Sequence, residues 1–136
     1  MEVLVSGFRP QDATIYRPYS DEMPWELLFA GDPDEQRVYG YADADYMRVA
    51  KYEDRVIGVY VVQALSPTRY QLCNLVVEKT FRRRGLGGWL LGHAIGLSES
   101  KGGREILLTG NPLRGLFEKV GFERQGRDLL LTLTPE

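Results

Sequence analysis

The sequence predicts a mixed α/β (α+β) domain built on one central sheet, and three observations carry that prediction. Strand-like and helix-like segments alternate along the chain without repeats. Three consecutive β-rich runs in the middle are joined by short turns. The segment after Arg84 has the periodicity of a helix with one apolar side, the kind that lies on a sheet. At 136 residues the chain has the length of one domain, 1–136, large enough to bury roughly 65–70% of the surface its unfolded form exposes.

In order, EVLVSGF (2–8) reads as a first strand. Pro10, Pro18, Pro24 and Pro33 cut residues 10–39 into short helical pieces, of which WELLFA begins after a proline and ends at Gly31. YMRVAKYE (46–53), RVIGVYVVQAL (55–65) and RYQLCNLVVE (69–78) form an antiparallel meander, turning at Glu53-Asp54-Arg55 and at Ser66-Pro67-Thr68. Leu86, Trp89, Leu90, Ala94 and Leu97 then recur at spacings of three and four, widened by Leu91 and Ile95. That helix stops near Lys101-Gly102-Gly103. REILLTG (104–110) is a short buried strand, and PLRGLFEKV (112–120) is a helix begun by proline and ended by Gly121. The last residues make two strands turning at Gln125-Gly126-Arg127.

Composition narrows the function. With 43% hydrophobic and 26% charged residues the chain is a folding sequence, not a disordered one. A single cysteine, Cys73, excludes an internal disulfide framework and the common zinc patterns. No apolar run approaches the ~20 residues of a membrane span. MEVLVSGFRPQD lacks the basic-then-apolar pattern of a signal peptide, so a reduced, cytoplasmic location is the expectation. The net charge of −2 argues against nucleic acid as a partner and makes the arginine run at 82–84 a local feature.

That run opens FRRRGLGGWLLGHAIG (81–96), where Arg82, Arg83 and Arg84 precede Gly85, Gly87 and Gly88 at the start of a helix. A helix start offers unpaired N–H groups and a positive dipole end. Glycines let a phosphate approach those groups, and arginines add bidentate donors. The stretch suits a pyrophosphate. It is neither a P-loop, which needs Lys-Ser/Thr where Trp89 follows Gly88, nor a dinucleotide fingerprint, which needs a small residue at Leu90.

Arg82-x-x-Gly85-x-Gly87 after NLVV, together with LFEKVGF at 116–122, resembles the GNAT superfamily of acyl-CoA-dependent N-acyltransferases. RVIGVYVV and MPWELLFAGDP extend the resemblance over residues 25–125, about most of the chain. It implies a GNAT-like mixed sheet of about six to seven strands, mostly antiparallel, with a splayed parallel pair in the middle and flanking helices. It implies acetyl-CoA as co-substrate, no metal, and an N-acetyltransferase acting on a primary amine of a small molecule, peptide or protein, as a monomer or homodimer. By the same resemblance, Leu75 and Val77 offer backbone groups to the pantetheine arm, and the Val77 N–H serves as oxyanion donor. The amides of Arg84, Gly85, Leu86, Gly87, Gly88 and Trp89 hold the pyrophosphate, Asn111 reaches the pantetheine, and Lys79, Arg82 and Arg114 are candidates for the 3′-phosphate, with Arg83 beside them in the loop.

The chain also departs from the family pattern. Phe117 stands where many members carry a tyrosine acid, and Gln71 where the histone-acetylating branch has a glutamate. Because a thiol with a pKa near 8.5–9 leaves tolerably at neutral pH, protonating it is worth only about 2 kcal/mol, and transfer survives without the tyrosine. The base is left open among strand-held water, Tyr60 and Tyr70. The same two departures suit an alternative, an acetyl-CoA-binding regulatory protein with weak or no catalysis. Other polar residues have plainer readings: His93 as a packed or locally bonded side chain, Cys73 as a small buried hydrophobe on the face of Leu75 and Val77, and Trp89 as a core anchor. Asp43 and Asp45 read as a polar loop among Tyr39, Tyr41 and Tyr46, a segment suited to lining an acceptor entrance.

Overall fold

Glu53 and Asp54 both take positive φ, 51° and 60°, the two-residue turn whose twist matches that of a β-hairpin. It joins β2 (Tyr46–Tyr52) to β3 (Arg55–Ala64), and a second tight connection leads to β4 (Arg69–Val77). The computed structural model describes residues 7–109 and 115–134. Among these, β1 (Thr14–Tyr16), β5 (Glu105–Leu108), β6 (Glu123–Gln125) and β7 (Asp128–Thr132) complete a seven-stranded sheet in the order β1-β2-β3-β4-β5-β7-β6. Only β4 and β5 are parallel; every other pair is antiparallel. The helices are α1 (Trp25–Gly31), α2 (Glu35–Gly40), α3 (Leu86–Ser100) and α4 (Gly115–Lys119).

The meander, the helix after Arg84 and the closing hairpin lie where the sequence places them. The expected strand at 2–8 falls largely outside the described residues. The strand that opens the sheet is β1, within the proline-divided segment expected to be helical; Thr14–Tyr16 pairs with Val49–Lys51. Three residues between Ala13 and Arg17 are too few to show alternation, so β1 exists because β2 offers it a free edge. Asn111, Arg114 and the proline start of the 112–120 helix also lie outside the described residues.

Side chains alternate across β3: Tyr60 and Val62 join a core under α3, while Val59 and Val61 join a second core under α1 and α2. The sheet is thus covered on both faces. α3 turns Leu86, Leu90, Leu91, Ala94 and Ser98 inward, each large apolar side chain contributing about 2 kcal/mol by burial. This stripe is rotated from the expected one. Trp89 is 47% exposed and is not a core anchor; Ser98 takes the inward place at the end, its hydroxyl donating to the Ala94 carbonyl at 2.8 Å. The helix closes as a Schellman motif, with Gly102 at φ 94°, its N–H on the Glu99 carbonyl and the Gly103 N–H on that of Ser98.

β4 is irregular where it matters. Val61 pairs with Asn74 but Val62 with Leu72, so Cys73 is an extra residue, a β-bulge. The bulge inverts the alternation. Tyr70 and Leu72 face α3, whereas Cys73 and Val76 pack on the α1 side. Cys73 therefore does not share a face with Leu75 and Val77, which pack toward α3. The end of α1 is fastened to this bulge: Asn74, buried, donates through Nδ2 to the Leu28 carbonyl at 3.2 Å.

Gly31 permits that approach, because a Cβ there would lie 2.3 Å from both Asn74 Oδ1 and Val76 Cγ2. Gly31→Ala is expected to cost about 1–3 kcal/mol as an overpacked contact, measured by urea unfolding. Gly40→Ala, at a helical position with open space around it, is the control and moves the midpoint slightly upward.

Candidate functional site

β4 and β5 stay paired for only three residues, Arg69–Gln71 against Glu105–Leu107. Beyond them β4 runs on to Val77 without that partner, and the gap is a cleft of about 580 Å³. Its walls are Leu72–Val77 on one side and Leu108, Thr109 and Phe117 on the other, with Ala30, Gly31 and Arg82 at its margins. The Val77 carbonyl turns away from β3 and accepts from Arg82 Nε at 3.0 Å. A strand residue directs its N–H and C=O to one side, so the N–H groups of Val77 and, two residues back, Leu75 face the gap.

At one end of the cleft the chain turns through Arg82–Gly85 into α3. Arg83 and Gly85 take positive φ, 63° and 85°, a geometry Gly85 adopts without strain and Arg83 does not. The first bond of α3 runs from the Trp89 N–H to the Gly85 carbonyl at 3.1 Å. Trp89 is therefore not a free donor. The N–H groups that α3 leaves without helical partners are those of its N-cap Gly85 and of Leu86, Gly87 and Gly88. Gly87 lies beside the end of β4, where a Cβ would stand 3.6 Å from Leu116 and 4.0 Å from the cleft residue Val77. Arg82 and Lys79 also line an outer groove with Trp25, Arg55 and Glu78. Phe117 lines the cleft wall, edge-on to Phe122 at 5.7 Å, and brings no hydroxyl.

At the other end the cleft continues into a second cavity of about 680 Å³, the two sharing Gly31, Cys73 and Thr109. This cavity is lined by Asp32, Arg37, Gln63 and Gln71, with Tyr41, Pro33 and Ala44 completing its wall. Gln71 donates to Thr109 Oγ1 at 3.1 Å across the last rung of the parallel pair. Cys73 is a neutral thiol, pushed up to about 11 by burial and, secondarily, by Asp45.

Asp32, Arg37 and Tyr41 form a network that the sequence did not single out. Asp32 is 7% exposed. It accepts a fork from Arg37, Nη2 to Oδ1 at 2.7 Å and Nε to Oδ2, the Tyr41 hydroxyl at 2.6 Å, and the Asp34 N–H at 3.0 Å. Arg37 foremost, then Tyr41, hold the Asp32 carboxyl far below the usual carboxylate range against the cost of burial. Burial and Asp32 push the Tyr41 phenol upward. The only local signal was Asp34 as N-cap of α2, accepting from the Arg37 N–H at 3.0 Å.

Several sequence candidates are drawn elsewhere. Tyr60, fully buried, bonds His93 Nδ1 at 2.6 Å beneath α3, and burial lowers the imidazole pKa. Tyr70 donates to the Lys101 carbonyl at 3.1 Å. Both tyrosines lie on the α3 face and neither lines the cleft or the second cavity. Asp45 caps the β2–β3 edge, accepting from Gln63 Nε2 at 2.6 Å and the Ala64 N–H at 2.8 Å. Of the three tyrosines around it, Tyr41 alone lines the cavity; Tyr39 is exposed beside Trp25 and Phe29, and Tyr46 stacks on Tyr70. Among the described residues no group of three or more His, Cys, Asp or Glu is placed to hold a metal ion, and no helix is long and apolar enough to cross a membrane.

A mixed sheet with one splayed parallel pair beside a glycine-led helix start has counterparts among known proteins. The model of the acetyltransferase (GNAT) family matches residues 10–122, and the chain belongs to that family. A Bacillus subtilis (strain 168) protein named uncharacterized N-acetyltransferase YvbK is 29% identical over 113 residues, 80% of this chain and 72% of that one. The crystal structure of a GNAT family acetyltransferase from Elizabethkingia anophelis with acetyl-CoA bound superposes with a TM-score of 0.78 at 25% identity, over 90% of this chain and 97% of that one. A Bacillus subtilis acetyltransferase in complex with CoA shares the fold, with a TM-score of 0.75, 23% identity, and coverage of 90% and 98%.

Gly87 gives the direct test of the helix start. Gly87→Ala meets only ordinary contacts and is expected to keep acetyl-CoA affinity while gaining about 0.5 kcal/mol of stability. Gly87→Trp fills the cleft mouth and is expected to weaken affinity at least about tenfold with the circular dichroism spectrum retained. Equal affinity of both variants in calorimetric titration removes the assignment.

Proposed function

We propose that this protein is an acetyl-CoA-dependent N-acetyltransferase that moves an acetyl group to a primary amine of a small molecule, peptide or protein. The observation that carries the reading is the continuity of three features: the open edge of β4, the free N–H groups at the start of α3, and a polar cavity at the opposite end. The pantetheine arm would lie along Leu72–Val77. The N–H groups of Leu86, Gly87 and Gly88 would meet the pyrophosphate, with Arg83 and Arg84 adding charge. Arg82 would close the edge it already touches, with Lys79 beside it. The glycine start and the open strand edge fit an extended thioester carrying phosphates.

The amine would enter through the second cavity and meet the thioester where the two spaces join. That junction lies at Cys73, nearer Leu75 than Val77 along β4. Its position favours the Leu75 N–H over the Val77 N–H as the donor to the developing oxyanion. The neutral amine attacks the thioester carbon, the C–N bond forms as the C–S bond breaks, and the thiolate takes up a proton. Asp32 is not the base, because its charge is committed to Arg37 and Tyr41; Tyr60 and Tyr70 are committed on the far face. Deprotonation falls to water in the polar cavity beside Gln71 and Thr109. With Phe117 in the wall, the thiolate takes its proton from solvent, a step that costs about 2 kcal/mol relative to a positioned acid.

Calorimetric titration with acetyl-CoA, paired with free-thiol detection in the presence of a mixture of primary amines, tests the reading. Saturable binding with amine-dependent thiol release is expected. Binding without amine-dependent release describes a regulatory acetyl-CoA-binding protein instead, and absence of binding overturns the site itself. Phe117→Tyr is expected to raise release several-fold, up to about 30-fold, with the gain greatest near neutral pH and fading as pH rises past about 8.5, where the thiolate leaves without needing a proton. An unchanged pH–rate curve removes leaving-group protonation as the limiting step.

A further inference from the structure

We propose that Tyr41, held by Asp32 and Arg37, is a positioning residue that fixes the backbone of the β4 bulge where the acetyl thioester lies. The inference rests on the acetyl-CoA reading above and adds a residue that neither motif contains. Four observations meet at one point. Cys73 is the extra residue of the bulge. It lines both the cleft and the second cavity. The Tyr41 hydroxyl lies 2.6 Å from Asp32 Oδ2 and 3.3 Å from the Cys73 carbonyl oxygen. Tyr41 itself is 7% exposed and packed in the core between α1, α2 and the sheet.

The phenol is thus a donor wedged between two acceptors. Its proton goes chiefly to the carboxylate, with the carbonyl as the longer arm of a three-centre bond. Without that hydroxyl, an ionised carboxylate and a carbonyl dipole face each other with no donor between them, an arrangement both sides relieve by moving apart. The carboxylate is the less free to move, since it is forked to Arg37 and bonded to the Asp34 N–H. The bulge is the freer partner, because β4 has already lost β5 on that side. Displacement of Cys73 carries Leu75 with it, and with Leu75 the N–H that faces the thioester. On the neighbouring residue Asn74 holds the Leu28 carbonyl, so α1 and Tyr41 grip the bulge at consecutive positions. Asp32 sets the direction of the phenol, and Arg37 keeps Asp32 charged. The chain thereby specifies a site geometry through residues that take no proton during the reaction.

The test reads the thioester directly and needs no acceptor. The unaltered protein, Tyr41→Phe and Asp32→Asn are each saturated with acetyl-CoA labelled with carbon-13 at the carbonyl, and the bound carbonyl shift, the affinity and the melting temperature are measured. The expected result is a downfield carbonyl shift in the unaltered protein that moves back toward the free value in Tyr41→Phe and in Asp32→Asn, with affinity held within about threefold. The double variant is expected to move no further than the larger single change, as for residues acting as one unit. A bound carbonyl shift that stays at the unaltered position in both single variants overturns the inference, even when the melting temperature falls, because stability alone is then what the network supplies. Failure of the unaltered protein to bind acetyl-CoA overturns the acetyl-CoA reading first, and this inference with it.

Discussion

Everything functional in this fold follows from a parallel pairing that lasts three residues. Strands held by a full ladder leave no room between them. Here the ladder between β4 and β5 ends at Gln71 and Leu107, and backbone groups that a sheet would normally satisfy internally are left without a β5 partner. Such an opening is costly unless something else holds the two strands apart. On the β4 side that support comes from β3, whose pairing continues to Val77, and from α1, whose last turn is pressed onto Asn74 and Val76 at Gly31. On the β5 side it comes from β7, antiparallel through Glu105–Leu108. The cleft is therefore framed by rigid elements, and the residues that face it inherit that rigidity.

The bulge at Cys73 turns one strand to two purposes. Before it, Tyr70 and Leu72 belong to the core beneath α3. After it, the inward side chains pass to the other face while Leu75 and Val77 come round toward α3. One inserted residue thus lets the same strand pack a helix on each face and still present its free edge at the junction of two cavities. The electrostatics are arranged around this point: basic residues gather at the loop before α3, and the buried carboxylate of Asp32, paired with Arg37, lies at the second cavity.

Much of this was legible in the sequence because it is written in local patterns. The Glu53-Asp54 turn, the apolar spacing of α3, its Lys101-Gly102-Gly103 end and the arginine-glycine start all follow from the residues within a few positions of each other. The family motifs located the cleft and Phe117 in its wall. What was not legible depends on partners distant in the chain. β1 is three residues long and exists by pairing with β2. The outward turn of Trp89 reflects a rotation of α3 on the sheet that periodicity cannot distinguish from its neighbour. The inverted face of Cys73 needs the register between β3 and β4. The Asp32–Arg37–Tyr41 network, with Tyr41 touching a carbonyl 32 residues away, has no sequence signature beyond an N-cap aspartate.

The two edges of the sheet share a property with a consequence of its own. β1 and β6 are each three residues long, and β6 is exposed throughout, with Glu123 and Arg124 on it. A foreign strand seeking to add to a sheet needs a run of unpaired backbone to grip. Such short edges, one of them charged, offer little of that, while the longer stretch of β4 without a β5 partner is recessed between the two walls of the cleft. Among the described residues, the backbone most able to accept another strand therefore lies in a narrow cleft and not on an outer edge, an arrangement that disfavours strand-to-strand association.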